Sequence, residues 1–522
     1  MKAIFSFLLS LFYVTTIFAQ TDLEYNIIPQ PNKITRIEGS FKLNSSTVIV
    51  AGKGLEFRAR QLNNYLEPAT GYDIKIEGPG KSTNIIEILL NGKLDYLGEE
   101  GYKLEIYQEK IKIESAHEMG IFWGIQTLRQ LLPNDILRDA KINNVKWQIP
   151  CIQIVDTPRF KWRGLMIDYS RTFWNKQLTK KYIDVLSFYK MNRLHMHLTD
   201  DQGWRIEIKK YPELTQIASK FDTIFHEPEE REGYYTQTDL RELITYAQER
   251  NVEIVPEIEM PGHSSEVFSV YPDLSCKGDT LTIHPFFKGP NIHKEIFCAG
   301  NDFTFQFLED VLSEVINIFP SEYIHIGGDE APKDFWKECE KCQQRIKDLG
   351  LLEEDELQSW FIKRIETFLT KNGKKMIGWD EIIEGGLSEE AIVMYWRSWK
   401  KEVPSLVAEH GNPMILSPTS HCYFDYTYKD ISTEKVYSFN PVPEGFEKRN
   451  RDKILGIQAN FWSHINRIEP EMDRQIFPRM IALSEVGWSQ ETNRNWENFG
   501  IRLKQHIKSL KIMDIYYFNE YK

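Results

Sequence analysis

The chain has 522 residues, of which 41% are hydrophobic and 27% charged, and its formal net charge is −12. These values are typical of a soluble globular protein and argue against a disordered chain or a coiled coil. The acidic balance does not fit a nucleic-acid-binding protein, so no nucleic-acid partner is expected. The length exceeds one ordinary domain and suits a (β/α)8 barrel with a smaller companion.

Aromatic residues make up 13% of the chain and include 13 Trp. Such an excess indicates either a large apolar core or a site where sugar rings stack on aromatic faces. Composition by itself favours the core.

The first 19 residues have the pattern of a secretory signal peptide. Lys2 precedes an apolar run from Ala3 to Ala19, and the small residue at the end of the run fits a cleavage site. The run is short for a membrane-spanning helix, and no later apolar stretch is long enough to span a bilayer. We therefore expect an exported protein, periplasmic or extracellular, without a membrane anchor.

Export permits disulfide bonds between the cysteines, which all lie beyond the signal peptide. The six are Cys151, Cys276, Cys298, Cys339, Cys342 and Cys422. Cys276 and Cys298 flank a polar loop that a disulfide would close. Cys339 and Cys342 form a CxxC motif, which occurs in redox centres and in zinc sites. No second CxxC motif completes a zinc site, so the sequence favours a structural pair or free thiols, and no metal and no cofactor is expected.

Two hydrophobic patterns divide the rest of the chain. Residues 20–157 combine alternating, strand-like segments with helical ones at Leu55–Leu66 and Gly120–Leu132, which is typical of a small α+β domain. Residues 158–522 alternate short apolar strands with amphipathic helices, and eight such units make a (β/α)8 barrel (TIM barrel). The predicted barrel strands are Arg163–Tyr169, Arg193–Thr199, Val252–Glu259, Tyr323–Gly327, Lys375–Trp379, Ile392–Trp396, Met414–Ser417 and Ile454–Phe461.

The C-terminal ends of barrel strands carry the active-site residues of such folds. The fourth strand runs through two glycines into the adjacent carboxylates Asp329 and Glu330. A carboxyl group at a partly dry barrel mouth has a raised pKa, which suits a general acid. Asp200 follows the second strand and His263 follows a Pro-Gly turn after the third. We expect Asp200, His263 and Glu330 to form a polar chain that tunes the acid.

The other strand ends offer side chains suited to a sugar. They are Arg163, Trp379, Trp396, Tyr423, Asp425 and Trp462. A guanidinium can donate to two neighbouring hydroxyls. Three Trp residues at separate strand ends suggest an aromatic box for an apolar group of the ligand. Together with the carboxylates, they indicate a carbohydrate site.

Two other classes of protein compete with a sugar-cleaving enzyme. His195 and His197 form an HxH motif that could bind a metal, as in metal-dependent barrel hydrolases. That architecture, however, has HxH on the first strand with further histidines and a late Asp, and those partners are not clearly present. The two histidines are instead interpreted as ordering neighbouring loops. A non-catalytic glycan-binding barrel is the second alternative, and the intact Asp329, Glu330 and Tyr423 argue against it.

These motifs together resemble glycoside hydrolase family 20, the β-N-acetylhexosaminidases. The resemblance covers nearly all of the chain after the signal peptide and rests on Ile27–Pro31, Arg163–Arg171, His195–Arg205, His263, His325–Glu330, Gly378–Glu381 and Tyr423–Asp425. It implies a catalytic TIM barrel behind a small α+β domain. It also implies an exo-acting enzyme that removes terminal β-GlcNAc or β-GalNAc from glycans without a cofactor, and it is compatible with a homodimer.

The resemblance implies a retaining, substrate-assisted mechanism, in which the 2-acetamido carbonyl attacks the anomeric carbon and forms an oxazolinium ion. Glu330 is then the general acid and later the base, Asp329 holds the acetamido N–H, and Tyr423 donates to the acetamido oxygen. Asp200 and His263 support Glu330. The sugar contacts implied are Arg163 and Asp425 on hydroxyls, with Trp379, Trp396 and Trp462 as walls.

One position departs from the family pattern. The family has Trp-x-Glu after the eighth strand, with the Glu on the outer hydroxyls, whereas this chain has Trp462-Ser463-His464. A histidine cannot accept two hydroxyl hydrogen bonds as a carboxylate does. We expect it to become cationic at mildly acid pH, since an ordinary histidine titrates there.

We hypothesise that His464 changes the preference at the 4- or 6-position of the sugar and admits a 6-substituent such as sulfate. The His464→Glu variant is then expected to change the relative rates on chromogenic β-GlcNAc, β-GalNAc and 6-sulfo-GlcNAc substrates. Unchanged ratios would mean that Asp425 and Arg163 suffice and that His464 has no part in specificity.

Overall fold

The computed structural model describes residues 25–78, 80 and 83–520. The predicted signal peptide at residues 1–19 lies outside this range, and so does its expected cleavage site. Across the described residues, none of the helices combines the length and the apolar character needed to cross a membrane.

The secondary structure follows the two predicted patterns. The strands are β1 Lys33–Lys42, β2 Val48–Ala51, β3 Lys75–Glu77, β4 Ile85–Leu90, β5 Tyr102–Ile106, β6 Lys110–Ser115, β7 Gln148–Asp156, β8 Trp162–Asp168, β9 Arg193–His197, β10 Thr199–Asp200, β11 Gly203–Trp204, β12 Glu253–Glu257, β13 Tyr323–His325, β14 Lys375–Trp379, β15 Ile392–Tyr395, β16 Met414–Leu416 and β17 Ile454–Phe461. The helices are α1 Glu56–Thr70, α2 Glu118–Leu131, α3 Lys176–Phe188, α4 Glu213–Gln216, α5 Gln237–Gln248, α6 Ser265–Phe268, α7 Asp302–Ile318, α8 Asp334–Glu338, α9 Glu340–Leu349, α10 Glu354–Lys371, α11 Val403–His410, α12 Thr433–Ser438, α13 Glu469–Ile476, α14 Arg479–Trp488 and α15 Trp496–Ile512.

The N-terminal domain is a mixed sheet of seven strands in the order β1-β7-β5-β6-β4-β2-β3. Alternate residues of β5 are buried, namely Tyr102, Leu104 and Ile106, because successive side chains of a strand point to opposite faces. The buried stripes of α1 and α2 share one hydrophobic core with these strands. These two helices occupy the segments that the sequence predicts as helical.

The C-terminal domain is a closed barrel of eight parallel strands in the order β12-β13-β14-β15-β16-β17-β8-β9. β17 pairs with β8 from Gly456↔Trp162 to Phe461↔Ile167, which closes the sheet on itself. This confirms the predicted TIM barrel behind a small α+β domain. Several predicted strands extend one or two residues beyond the observed C-terminal ends. At these points the backbone stops pairing with the neighbouring strand and turns into the loops that carry the polar side chains.

A buried polar cluster around Asp156 joins the two domains. Lys190 Nζ lies 3.1 Å from Asp156 Oδ2. The Tyr102 hydroxyl and the Trp488 Nε1–H donate to the same oxygen at 2.8 and 3.0 Å. Asp156 ends the last strand of the N-terminal domain, while Lys190 and Trp488 belong to the barrel, so the cluster fixes one domain against the other.

Arg163 belongs to this same interface. It is the second residue of β8, so it lies at the N-terminal end of the barrel, opposite to the rim formed by the strand C-termini. Its fully buried guanidinium forms an ion pair with Glu100 of the N-terminal domain and donates from Nε to the Lys190 carbonyl at 2.8 Å. The prediction that Arg163 contacts sugar hydroxyls is therefore wrong.

Replacing Arg163 with Ala leaves the partly buried Glu100 carboxylate without its partner. Breaking such a pair is expected to lower the free energy of unfolding by roughly 3–5 kcal/mol. Urea denaturation followed by Trp fluorescence measures this loss, while KM should stay at the wild-type value. Arg449, whose side chain is 78% exposed, provides the matched Arg→Ala control with little expected change. A raised KM at unchanged stability would return Arg163 to the binding site.

Candidate active site

The turn after β13 places two carboxyl groups at the barrel rim. Gly327 and Gly328 have φ values of +68° and +94°. A Cβ at Gly327 would lie 1.6 Å from Glu259 Oε2, and one at Gly328 would lie 2.7 Å from Ile382 Cγ2, so neither position accepts a larger residue. Glu330 itself has a φ of +44°. Strained backbone of this kind clusters at functional sites.

His263 connects four carboxyl groups at this rim. Its Nδ1 lies 3.2 Å from Asp200 Oδ1 and 3.3 Å from Asp201 Oδ2. Its Nε2 lies 3.5 Å from Glu330 Oε2 and 3.9 Å from Asp329 Oδ2. Burial would lower the pKa of His263, but Asp200, Asp201 and Glu330 raise it well above the usual value. The structure thus places Asp200 and Glu330 on either side of a protonated His263 ring. It also adds Asp201, which the sequence did not indicate.

Asp200 is held by three positively charged or donating groups. Arg171 Nη2 lies 2.6 Å from its Oδ2, His197 Nε2 lies 2.9 Å from the same oxygen, and His263 binds its other oxygen. Burial alone would raise the pKa of Asp200, but these neighbours keep it well below its usual range. Asp200 therefore remains a carboxylate and keeps His263 protonated.

Arg171 supplies the guanidinium that the sequence analysis assigned to Arg163. It lies three residues beyond Asp168, the last residue of β8, and so at the C-terminal rim. Its guanidinium carbon lies 4.8 Å from the centroid of the Trp462 ring. Both arginines belong to the same sequence motif. The signal that separates them is position, because functional side chains of a barrel follow the strand rather than begin it.

The two carboxyl groups after β13 have opposite pKa shifts. The pKa of Glu330 is lowered, chiefly by its hydrogen bond with His263, and its side chain is 40% exposed. This corrects the expectation of a raised pKa for the acid, because a charged His263 outweighs partial burial. Asp329 is buried, and desolvation together with the charge of Glu330 raises its pKa to about 6.

Four aromatic rings form a box beside these carboxyl groups. The ring centroids of Trp379 and Trp462 are 6.0 Å apart, those of Trp396 and Tyr423 are 6.0 Å apart and stacked, and those of Tyr423 and Trp462 are 6.4 Å apart. Burial raises the pKa of the Tyr423 phenol well above 10, so it stays a hydrogen-bond donor. Trp396 Nε1 donates to Glu381 at 2.7 Å, a contact that the sequence analysis did not identify.

Asp425 and His464 line a cavity of about 610 Å³ next to the box. Desolvation raises the pKa of Asp425 to about 7. Burial, reinforced by the charge of Arg171, lowers the pKa of His464 to about 4. The His464 ring packs on Phe286 with centroids 4.6 Å apart. The expectation that His464 becomes cationic at mildly acid pH is therefore wrong, because this apolar packing disfavours the charged form. Its influence on sugar preference stays a prediction.

A second charge network lies beneath the rim around Glu257. His195 Nε2 and His325 Nδ1 lie 3.1 and 2.7 Å from its carboxylate oxygens, and His197 Nδ1 bonds to it as well. These histidines hold the pKa of Glu257 well below its usual range despite full burial. Since His197 also binds Asp200, this network supports the rim from below.

Paired carboxyl groups, an aromatic box and a guanidinium at the rim of a parallel barrel are typical of a glycoside hydrolase. The model of the glycosyl hydrolase family 20 catalytic domain matches residues 160–491, and that of the family 20 domain 2 matches residues 24–157. The chain belongs to glycosyl hydrolase family 20.

Known relatives agree with this assignment. The chain is 37% identical over 510 residues to a β-hexosaminidase of Porphyromonas gingivalis, a match that covers 95% of this chain but only 64% of that protein. The family 20 β-N-acetylhexosaminidase of Streptomyces coelicolor A3(2) superposes with a TM-score of 0.85 at 29% identity, covering 95% and 98% of the two chains. A mutant Streptomyces plicatus β-hexosaminidase in complex with its product GlcNAc superposes with a TM-score of 0.84 at 29% identity, covering 95% and 97%. The barrel is accordingly the catalytic domain of a β-N-acetylhexosaminidase.

The raised pKa of Asp329 predicts the acid side of the pH profile. If Asp329 accepts the acetamido N–H, it has to be ionised, so kcat/KM is expected to fall as the pH drops through about 6. Asn cannot titrate, so Asp329→Asn should lose this acid limb along with most of its activity. Asp95→Asn, whose side chain is 78% exposed in the N-terminal domain, is the matched control and should keep the limb. Persistence of the limb in Asp329→Asn would assign it to another group.

Proposed function

We propose that the protein is an exo-acting β-N-acetylhexosaminidase that removes terminal, non-reducing β-GlcNAc or β-GalNAc with retention of configuration, by a substrate-assisted mechanism. The observation that carries the proposal is the set of groups around the aromatic box. Asp329 offers an acceptor for an amide N–H, and Tyr423 offers a donor for an amide carbonyl. Both side chains lie at the same rim, Asp329 beside His263 and Tyr423 against the rings of Trp396 and Trp462. Glu330 supplies the acid beside them.

This arrangement fits the bond changes of the first step. The acetamido oxygen forms a bond to the anomeric carbon while the glycosidic bond breaks, and Glu330 gives its proton to the departing oxygen. The positive charge that develops on the oxazolinium ion lies next to Asp329, which stabilises it. In the second step Glu330 takes a proton from water, the water oxygen bonds to the anomeric carbon, and the oxazolinium ring opens.

The substrate also corrects the protonation states of the two carboxyl groups. In the free site Asp329 has a raised pKa and Glu330 a lowered one, which is the reverse of what the first step needs. An amide N–H donated to Asp329 stabilises its anion, and a sugar that covers Glu330 removes water from it. Both effects move the proton towards Glu330.

The outer end of the site supports exo action. The guanidinium carbon of Arg171 lies 5.7 Å from the centroid of the Phe286 ring, and Phe286 packs on His464. Arg171 also lies against Trp462, with its guanidinium carbon 4.8 Å from the ring centroid. We infer that these side chains mark the non-reducing end of the sugar site, an arrangement that would favour a terminal sugar over an internal one.

We also propose that the protein is exported to the periplasm or the cell exterior. The support for this proposal is the basic residue, apolar run and small residue within positions 1–19. The mass of the protein recovered after expression with its native N-terminus tests it, and retention of residues 1–19 would contradict export.

Substitution of the two carboxyl groups tests the mechanism. Glu330→Gln is expected to lower kcat by about 10²–10⁴-fold on natural glycans and less on substrates with good leaving groups, which need no proton. Asp329→Asn should lower kcat by roughly 10²–10³-fold on both kinds of substrate. Initial rates on chitobiose and on the chromogenic β-GlcNAc measure the difference. Glu56→Gln in the N-terminal domain is the control.

The acetamido group itself provides a second test. A chromogenic β-glucoside lacks this group, so its cleavage should be negligible beside that of the β-GlcNAc substrate. Comparable rates on the two would rule out substrate assistance.

A further inference from the structure

Four cysteines from two loops beside the active site converge on one point. Cys276 and Cys298 lie between α6 and α7, whereas Cys339 and Cys342 lie at the start of α9. The Sγ atoms are 3.7 Å apart for Cys276 and Cys342, 3.6 Å for Cys298 and Cys342, and 3.8 Å for Cys298 and Cys339. All four sulfur atoms lie within 4.8 Å of one another, and the four cysteines are free.

This spacing is that of a tetrahedral metal site. Sulfur ligands about 2.3 Å from a tetrahedral zinc ion lie about 3.8 Å from one another. A pair of disulfides would instead sort the sulfurs into two separate couples, each at bonding distance. Here Cys298 approaches two sulfurs and Cys342 approaches two, so all four share one centre. We propose that Cys276, Cys298, Cys339 and Cys342 bind a structural zinc ion.

The first loop is built to present its two sulfurs together. Ser275 and Phe297 form an antiparallel bridge, and the Cys298 N–H donates to the Leu274 carbonyl at 2.8 Å. Cys276 and Cys298, distant in sequence, therefore sit on adjacent segments. Their pairing supplies the second half-site, which no CxxC motif marks in the sequence.

The second loop is held tightly against the first. Trp336 Nε1 donates to the Phe297 carbonyl at 2.9 Å. A Cβ on Gly300 would lie 2.2 Å from the backbone carbonyl carbon of Lys341, inside the CxxC motif, so only glycine permits this approach. Lys277 and Glu338, one from each loop, form an ion pair at 2.6 Å. The four sulfurs are thus placed by contacts that do not depend on the sulfurs themselves.

The exposure of the cluster suits a structural ion. Cys298 and Cys342 are 1% and 0% exposed, and Cys276 and Cys339 are only partly buried. The inner pair is shielded from water, and the outer pair leaves a path by which an ion enters. Four protein ligands fill a tetrahedral site, so this zinc would have no open position for substrate. Its role is to tie the loop after β12, which carries His263, to the loop after β13, which carries Glu330.

Zinc content measured on the full-length protein tests the proposal. The protein is purified without chelators and its zinc-to-protein ratio is measured by mass spectrometry of the metal. We expect one zinc per chain in the wild type and in the Cys151→Ser control, whose cysteine is buried in β7 away from the cluster. The Cys339→Ser/Cys342→Ser variant should fall to background. Zinc retained in this double variant would overturn the proposal.

Two measurements on the wild type keep the test valid if the double variant does not fold. Cobalt(II) added in place of zinc should give the thiolate charge-transfer and visible absorption bands of a tetrahedral tetrathiolate site. The mass of the denatured, unreduced chain should correspond to four free thiols in the cluster. A zinc-free wild type whose mass is lower by four hydrogens would show two disulfides instead. None of these measurements depends on glycosidase activity, so a failure of the zinc proposal can be distinguished from a failure of the proposed function.

Discussion

The charged ring of His263 is the interaction on which the active site depends. It lies between Asp200 and Asp201 on one side and Asp329 and Glu330 on the other. A buried imidazolium is costly unless carboxylates surround it, and these carboxylates in turn would repel one another without it. The ring therefore fixes the geometry of the site and sets the proton affinity of the acid at the same time.

The barrel makes this interaction possible by bringing distant strand ends to one rim. Asp200 follows β9, His263 follows β12 and Glu330 follows β13, and these three strands are neighbours in the sheet. The network around Glu257 holds the same strands together just below the rim. Polar groups in two layers thus lie at and just below the rim of the closed sheet.

The two loops that carry His263 and Glu330 are also the loops that carry the four cysteines. His263 Nε2 lies 3.5 Å from Glu330 Oε2, so the separation of these loops affects the contact between the imidazole and the acid. A metal ion that links the loops at their outer end would stabilise the pair without touching substrate. The contact between His263 and Glu330 and the cysteine cluster therefore both connect the loop after β12 to the loop after β13.

The sequence by itself determined the fold and placed most of the candidate site residues at the barrel rim. Hydrophobic periodicity located all eight barrel strands, since a parallel barrel strand is buried on both faces and reads as a short apolar run. Residues at or beyond the C-terminal ends of those strands, such as Asp329, Glu330, Trp379 and Tyr423, could be assigned to the rim because position in the strand determines position in the barrel. The strand positions and the residues at their ends can both be read from short segments of the sequence, without knowledge of distant contacts.

Only the tertiary structure decided the features that depend on partners far apart in sequence. Arg163 and Arg171 flank one strand, and the contact with Glu100 of the other domain shows which of them faces away from the rim. The pKa of Glu330 is lowered chiefly by its contact with His263, and that of His464 by burial, reinforced by the charge of Arg171. The cysteine cluster joins a CxxC motif to two cysteines from another loop. The pKa and the burial of a side chain, and the spacing of metal ligands, depend on which residues are neighbours in space. The sequence does not state which residues those neighbours are.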